Sequence, residues 1–171
     1  MASVRASATA ALAAAAIAGS VVIPSATAGP TKDYEINGTY LATSIGEWAK
    51  TNYSYHNEAT VRSTWKIKSS CTDPYECSGE VSSDQGWTAS IRKTSVSWIL
   101  DREVADWERC DDGTAFPGKQ KFRFYPVDGD GQVKTGSPVL AGEDKTIGPS
   151  GACGKSQRLI IVMPFKLVKT D

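Results

Sequence analysis

The sequence has few of the side chains that most catalytic and metal sites need. Only one histidine, His56, occurs in 171 residues, beside four cysteines and two methionines. A zinc site draws on several Cys, His or carboxylate ligands at short spacing, and no such group surrounds this histidine. The sequence contains no G-x-S-x-G nucleophile elbow and no C-x-x-C redox pair. These absences argue against zinc, serine-hydrolase and thioredoxin-type chemistry, and we expect no cofactor.

Neither sign of charge dominates, and no long apolar run follows residue 28. The chain has 19 basic and 19 acidic residues, so the charge excess of a general nucleic-acid-binding protein is missing. A membrane-spanning helix needs about 20 consecutive apolar residues. We therefore expect no nucleic-acid partner and no transmembrane segment in the mature protein.

Residues 1–28 have the features of a secretory signal peptide. Arg5 precedes an apolar run, "ATAALAAAAIAGSVVI", and the small residues "ATA" at 26–28 suit a cleavage site. This run is shorter than a spanning helix. We expect cleavage before Gly29 and a location that is extracellular or in the cell envelope.

The four cysteines are expected to form two disulfides. Thiols oxidise outside the cell, and an even number of cysteines in a small exported domain is typical of a disulfide framework. Four cysteines allow three connectivities. The segment "CTDPYEC" (71–77) contains an Asp-Pro pair that favours a turn between its ends. The sequence therefore favours Cys71–Cys77 with Cys110–Cys153, and the other two pairings stay open.

Alternating apolar and polar residues are the main structural pattern after residue 37. Such alternation is typical of half-buried β-strands. It occurs in "VRSTWKIK" (61–68), "WTASIR" (87–92), "SVSWILDRE" (95–103), "KQKFRFY" (119–125) and, as a longer apolar run, "RLIIVMPFKLV" (158–168). The pattern predicts an inward set of Val61, Trp65, Ile67, Trp98, Leu100, Phe122, Phe124 and Ile161. It predicts an outward set of Arg62, Lys66, Lys121 and Arg123.

Short strands joined by Gly, Asp and Pro turns predict an all-β fold. We expect residues 38–171 to form a single β domain, an antiparallel meander closing into a small barrel, after a flexible segment at 29–37. The alternative is a β-sandwich. Pro164 predicts an edge or a bulge in the last strand. In "SIGEWAKT", Ser44 and Glu47 fit a capping box for a helix of at most two turns.

Two resemblances agree with this fold. Gly38-Thr39-Tyr40 resembles the glycine-plus-aromatic start of lipocalin-type barrels. The wider pattern of "TW", "SSC", "GEVSSDQGW", "WERCDDG", "FRFYPVDGDG" and "GPSGACG" resembles a group of small exported actinobacterial, especially mycobacterial, proteins with four cysteines and spaced tryptophans. This similarity extends over 38–164, nearly the whole mature chain. It implies an exported β-rich domain and carries over no activity and no site residue.

The five tryptophans are the most informative candidates for function. On alternating strands, indole rings fill a core, and that is one interpretation of them. The other is that some of them line a pocket at the mouth of the barrel, the usual ligand site in this architecture. The candidate ligand-binding residues are Trp65, Trp87, Trp98 and Trp107.

Three functional hypotheses follow. The first is a secreted, non-catalytic binding protein for a small apolar or lipid-like ligand or a cell-envelope component, and catalysis is not favoured. The second is a small secreted hydrolase that uses carboxylates of "DREVADWERCDD" (101–112), since paired carboxylates can cleave glycosidic bonds. The third is an inhibitor-like interaction module that presents the loop at 71–77. A basic patch facing anionic lipid or cell-wall polymer would also form if strands 61–68 and 119–125 were neighbours.

Overall fold

The computed structural model describes residues 31–171, and the signal peptide expected at 1–28 lies outside the described residues. Within 31–171 the chain forms ten β-strands and three short 3₁₀ turns. The strands are β1 (Gly38–Ser44), β2 (Lys50–Thr51), β3 (Ser54–Tyr55), β4 (Val61–Cys71), β5 (Glu76–Ser83), β6 (Thr88–Thr94), β7 (Ser97–Arg109), β8 (Ala115–Pro126), β9 (Val139–Ile147) and β10 (Ile160–Lys169). The 3₁₀ turns are η1 (Thr31–Tyr34), η2 (Gly46–Trp48) and η3 (Ala152–Gly154).

Eight of these strands close into an antiparallel barrel. The strand order is β1-β4-β5-β6-β7-β8-β9-β10, and β10 pairs with β1 to complete the ring. The short β2–β3 hairpin extends the ring locally by pairing with β10 beyond the end of β1. The predicted all-β meander and its barrel closure are confirmed, and the sandwich alternative is wrong.

The predicted strand phase holds through the middle of the barrel. Six of the eight residues predicted to face inward are buried, and Trp65, Trp98 and Phe124 are among the largest fully buried side chains. The four predicted outward residues are exposed. Val61 and Ile161 depart from the prediction in burial, since Val61 is 43% exposed and Ile161 is half-buried. Both line the mouth of a cavity, where the barrel interior meets solvent.

Besides β1 and the two-residue strands β2 and β3, the strands β5 and β9 have no counterpart among the alternating segments of the sequence. Each contains a glycine at a crowded position: a Cβ on Gly79 would overlap the backbone of β4, and one on Gly142 the backbone of β8. Glycine thus permits close approach of neighbouring strands while it weakens the strand pattern. The interior side of β9 also carries the buried polar residues Asp144 and Thr146, which break the apolar alternation.

The structure bears on two local predictions. The prediction of an edge or a bulge at Pro164 holds on one side of β10: Pro164 is paired with Glu143 of β9, whereas the ladders with β1 and β2 on the other side both omit it. Its carbonyl accepts from the Ile45 amide, at the point where that side of β10 changes partner from β1 to β2, so no ladder N–H is required there. The predicted capping box is absent. The helix is the single 3₁₀ turn η2 with Ile45 at its N-cap, and Ser44 ends β1.

Both predicted disulfides are confirmed. Cys71 is bonded to Cys77 across the β4–β5 hairpin, and Cys110 is bonded to Cys153. Within the segment 29–37, residues 31–34 form η1, and Ile36 is buried in the barrel core. No helix among the described residues has the length and apolar character needed to cross a membrane.

Candidate functional site

An aromatic cluster fills the centre of the barrel and leaves a cavity towards each end. The Trp65 ring lies 5.0 Å from Phe122 and 5.2 Å from Phe165, measured between ring centroids. Phe124 completes the cluster at 6.4 Å from Trp65. The two cavities have no lining residue in common, so each end of the barrel offers a separate site.

The first cavity, which we call the tryptophan cavity, has a volume of about 260 Å³. It opens where β4, β8 and β10 begin and where the segment between β3 and β4 approaches the rim. Three of the four candidate tryptophans line it: Trp65, Trp87 and Trp107. The Trp65 and Trp87 rings meet edge to face at 5.3 Å. The fourth candidate, Trp98, is fully buried and lines the cavity at the opposite end.

A β-bulge brings Trp107 into this cavity. The pairing of β7 with β8 shifts between Val104 and Glu108, and Asp106 has a positive φ of 51° within the shift. Regular alternation from Val104 would turn Trp107 outward, and the bulge changes that direction. Gly118 on β8 leaves the space, since a Cβ there would lie 2.7 Å from the Trp107 indole. Bulges of this kind are over-represented at barrel rims and beside functional sites.

Polar side chains form a connected network on the wall of the tryptophan cavity. Ser44 Oγ donates to Asp144 Oδ2 at 2.7 Å, and Gln120 Nε2 donates to both carboxylate oxygens of Asp144 at 2.9 and 3.0 Å. Gln120 Oε1 in turn accepts from Arg102 Nε at 2.6 Å. β1, β7, β8 and β9 thus supply one network inside an otherwise apolar barrel.

Burial changes the acid–base properties of this network. The pKa of Asp144 is raised, chiefly because burial penalises its charged form, although hydrogen bonds from Ser44 and Gln120 and the charge of Arg102 act in the opposite direction. Glu143 adds a smaller contribution that raises it further. Burial also lowers the pKa of Arg102, against the favourable charge of Asp144. Arg102 nevertheless stays charged at neutral pH, because the guanidinium pKa is far above 7.

Arg102 and Trp87 form a stacked pair at the cavity wall. The guanidinium carbon lies 4.3 Å from the centroid of the Trp87 ring, within the range of a cation–π interaction. Within the described part of the chain, the buried Nε1 of Trp87 has no hydrogen-bond partner. The described residues also offer no hydrogen bond or ion pair to the Nη groups of Arg102. The cavity wall therefore contains more hydrogen-bond donors than the protein uses.

The second cavity, at the opposite end, has a volume of about 310 Å³ and a different character. Tyr34, Tyr40 and Tyr75 line it together with Trp98. Lys93 lies 4.7 Å from the Tyr34 ring centroid and donates to the carbonyl of Pro74, and burial lowers its pKa. Burial, with help from Asp171, raises the pKa of Tyr40 to about 12, so its hydroxyl stays protonated. This cavity lacks the linked polar network of the first.

The acidic stretch 101–112 does not converge on either cavity. None of its six carboxylates lines one of them. Asp101 points outward and pairs with Arg92 at 3.1 Å and Lys121 at 3.3 Å. Glu108 is buried, and its Oε2 has no hydrogen-bond partner among the described residues. This placement gives the hydrolase hypothesis no support from paired carboxylates in a cleft.

The proposed basic patch does not form, because β4 and β8 are not neighbours in the barrel. β4 lies between β1 and β5, whereas β8 lies between β7 and β9. Among residues 31–171, no three His, Cys, Asp or Glu side chains gather into a group that would hold a metal ion.

Four residues of the polar network were missed by the sequence interpretation: Ser44, Arg102, Gln120 and Asp144. Two of them carried a usable pattern. Gln120 has the same inward parity as Phe122 and Phe124, and Arg102 has that of Trp98 and Leu100. A polar residue at an inward position near a strand end indicates that the position lies at a barrel mouth. Ser44 was assigned to a helix cap, and Asp144 lies in a strand that the pattern did not reveal.

Comparison with known proteins supports the fold alone. No protein-family model matches the chain, and no curated protein is similar to it in sequence. Among solved structures, the chain is similar to the monomer form of the M. tuberculosis PknI sensor domain, with a TM-score of 0.54 and 16% sequence identity. The match covers 79% of this chain and 87% of that one. The similarity is one of fold.

Proposed function

We propose that this protein is an exported, non-catalytic binding module that takes a small apolar or amphipathic molecule into the tryptophan cavity. The observation that carries the proposal is the convergence of Trp65, Trp87 and Trp107 on one cavity. Mouths of closed barrels are preferred ligand sites, and indole rings supply large apolar surfaces with one polar N–H each. A cell-envelope component is the ligand source that we favour.

Two further observations support the proposal, the first for a role outside the cytoplasm and the second for sensing or binding. Two disulfides link the described cysteines, and such bonds persist mainly in oxidising compartments. The fold is similar to that of a domain described as a sensor domain. Fold similarity does not establish function, so it supports sensing or binding as an analogy only.

The test is a titration of purified, delipidated protein with extracted envelope lipids, in which tryptophan fluorescence is the measured signal. We expect saturable quenching that is reduced in Trp87→Phe, since this ring lines the cavity. Trp48→Phe is the matched control, because Trp48 is 68% exposed and lines neither cavity. Quenching that is lost in the control and retained in Trp87→Phe would contradict the proposal.

Generic glycosidase and esterase assays, run on the same samples, address the hydrolase alternative. We expect no turnover. Turnover that disappears in Asp106→Asn or Glu108→Gln would replace the binding function with an enzymatic one.

A further inference from the structure

We propose that the ligand of the tryptophan cavity is a small monocarboxylic acid with a short apolar body, whose carboxylate binds the guanidinium group of Arg102. This inference rests on the proposed function and specifies the chemical class of its ligand. Three observations carry it: the unused donors of Arg102, the way in which the network isolates its charge, and the size and composition of the cavity.

Arg102 is held in a fixed orientation with most of its donors free. Its Nε donates to Gln120, and its guanidinium plane is stacked on Trp87. In the described residues the two Nη groups make no hydrogen bond. A guanidinium group offers parallel N–H donors whose geometry matches both oxygens of a carboxylate. The Nε hydrogen bond and the stacking on Trp87 thus fix the guanidinium group of Arg102, and its Nη side is left for a ligand.

Gln120 separates Arg102 from the buried acid. Its amide accepts from Arg102 with one end and donates to Asp144 with the other. Both oxygens of Asp144 are occupied, by Ser44 and Gln120, and no ion pair of the described residues includes Arg102. The positive charge therefore has no direct counter-ion in the cavity, and an anionic ligand group supplies one.

Protonation of Asp144 would strengthen this preference for an anion. Because burial raises the pKa of Asp144, its neutral form persists to higher pH than that of an ordinary aspartate. When Asp144 is neutral, the network as a whole carries the single positive charge of Arg102. Glu58, at the rim of the cavity, is engaged by Thr51 and His56.

The rest of the cavity fits an apolar body of limited size. Apart from the polar network, the lining includes Trp65, Phe122, Phe165, Ile161 and Met163. A cavity of roughly 150 Å³ lined by apolar residues binds benzene. At about 260 Å³, the tryptophan cavity is less than twice that volume, which suits a single ring or a short acyl chain. A whole two-chain lipid would not fit inside it, so from the extracted envelope lipids only a single chain or a small free acid could enter the cavity.

The experiment compares acids with alcohols of the same carbon skeleton. Octanoate and 4-phenylbutanoate represent the acyl and aryl forms of the ligand, and octan-1-ol and 4-phenylbutan-1-ol are their uncharged controls. Binding to the native protein is measured by isothermal titration calorimetry and tryptophan fluorescence. We expect the acids to bind about 10- to 100-fold more tightly than the alcohols, the range of a charge-assisted hydrogen bond.

Substitution of the arginine tests the contact itself. Arg102→Met keeps an unbranched apolar stem, and we expect it to remove that advantage of the acids while the affinity for the alcohols changes little. Arg62→Met on the outer face of β4 is the control, with no change expected. If the variant does not fold, the comparison of acids with alcohols in the native protein tests the carboxylate class of the ligand on its own.

The outcomes separate this inference from the proposed function. Alcohols that bind as tightly as acids would overturn the carboxylate class and leave cavity binding intact. An Arg102→Met variant with unchanged octanoate affinity would also overturn it. Absence of binding by all four compounds would overturn it too, and the lipid titration then tests the proposed function independently.

Discussion

The hydroxyl of Ser44 on β1 donates a 2.7 Å hydrogen bond to Oδ2 of Asp144 on β9, although 100 positions separate them in the sequence. β10 lies between these two strands, and the contact is made over its inner face. The bond gives a partner to a buried carboxyl group that would otherwise be costly to bury. It also begins the network that ends at Arg102 in the tryptophan cavity.

Loss of this bond should destabilise the barrel. We expect Ser44→Ala to lower the free energy of unfolding by about 1–3 kcal/mol, the usual cost of leaving a buried polar group without one partner. Urea denaturation measures the effect. Ser78→Ala on the exposed face of β5 should stay within about 0.5 kcal/mol of the wild type. Equal stability of the two variants would show that the Ser44 bond contributes nothing.

Asp144 should make stability depend on pH with a definite sign. Because its pKa is raised in the folded state, the folded protein binds the proton more tightly than the unfolded chain does. Its contribution is therefore fully present below the ordinary aspartate pKa and is lost as pH rises through the raised value. Ser44, Gln120, Arg102 and Glu143 are the groups that act on this pKa.

Asp144→Asn isolates that contribution. Asparagine keeps one oxygen for Gln120 and can donate to the Ser44 hydroxyl, and it does not titrate. We expect the free energy of unfolding of the variant, relative to that of the wild type, to increase from about pH 4 to about pH 8. Urea denaturation of both proteins at each pH measures this difference. The comparison cancels Asp112 and Asp171, whose pKa values are lowered by hydrogen bonds and act with opposite sign. A difference that is constant with pH would contradict the assignment.

Gly118 should be needed for the position of Trp107. In Gly118→Ala, the new methyl group would meet the indole of Trp107 and the Cγ2 of Thr146, each at 2.7 Å. We expect a loss of about 1–3 kcal/mol from overpacking and a changed Trp107 fluorescence. Gly129→Ala is the control, since its Cβ would meet nothing within 4 Å. An unchanged stability and emission in Gly118→Ala would show that the rim adapts freely.

Trp65 should be the main single contributor to the barrel core. It is 1% exposed and packs against Trp87, Phe122 and Phe165. We expect Trp65→Ala to cost about 3–5 kcal/mol in thermal or urea unfolding. Lys121→Ala should stay within about 0.5 kcal/mol, because its exposed ion pair with Asp101 contributes little. A loss below 1 kcal/mol for Trp65→Ala would contradict this account of the core.

The sequence predicted the all-β class and the strand phase because both depend on local alternation, whereas alternation alone left a closed barrel and a sandwich open. Trp65 and Phe122 are buried where period 2 places them. The polar network was not predictable in the same way, since Ser44 and Asp144 meet only after the ring closes. Trp107 depends on a bulge, and a one-residue shift in register changes which face a side chain occupies. Trp98 has the inward parity of a ligand-binding residue, and its position along the barrel axis separates it from the others.

The most direct measurement of ligand binding in the tryptophan cavity is the nuclear magnetic resonance spectrum of the indole N–H groups. The five tryptophans give five signals, which single Trp→Phe variants assign. During titration with extracted envelope lipids, we predict that the Trp87 and Trp107 signals shift with a saturable dependence on ligand. The signals of Trp48, exposed on η2, and Trp98, at the opposite end, should stay in place. Shifts confined to Trp48 or Trp98, or no shift at all, would contradict binding in the tryptophan cavity.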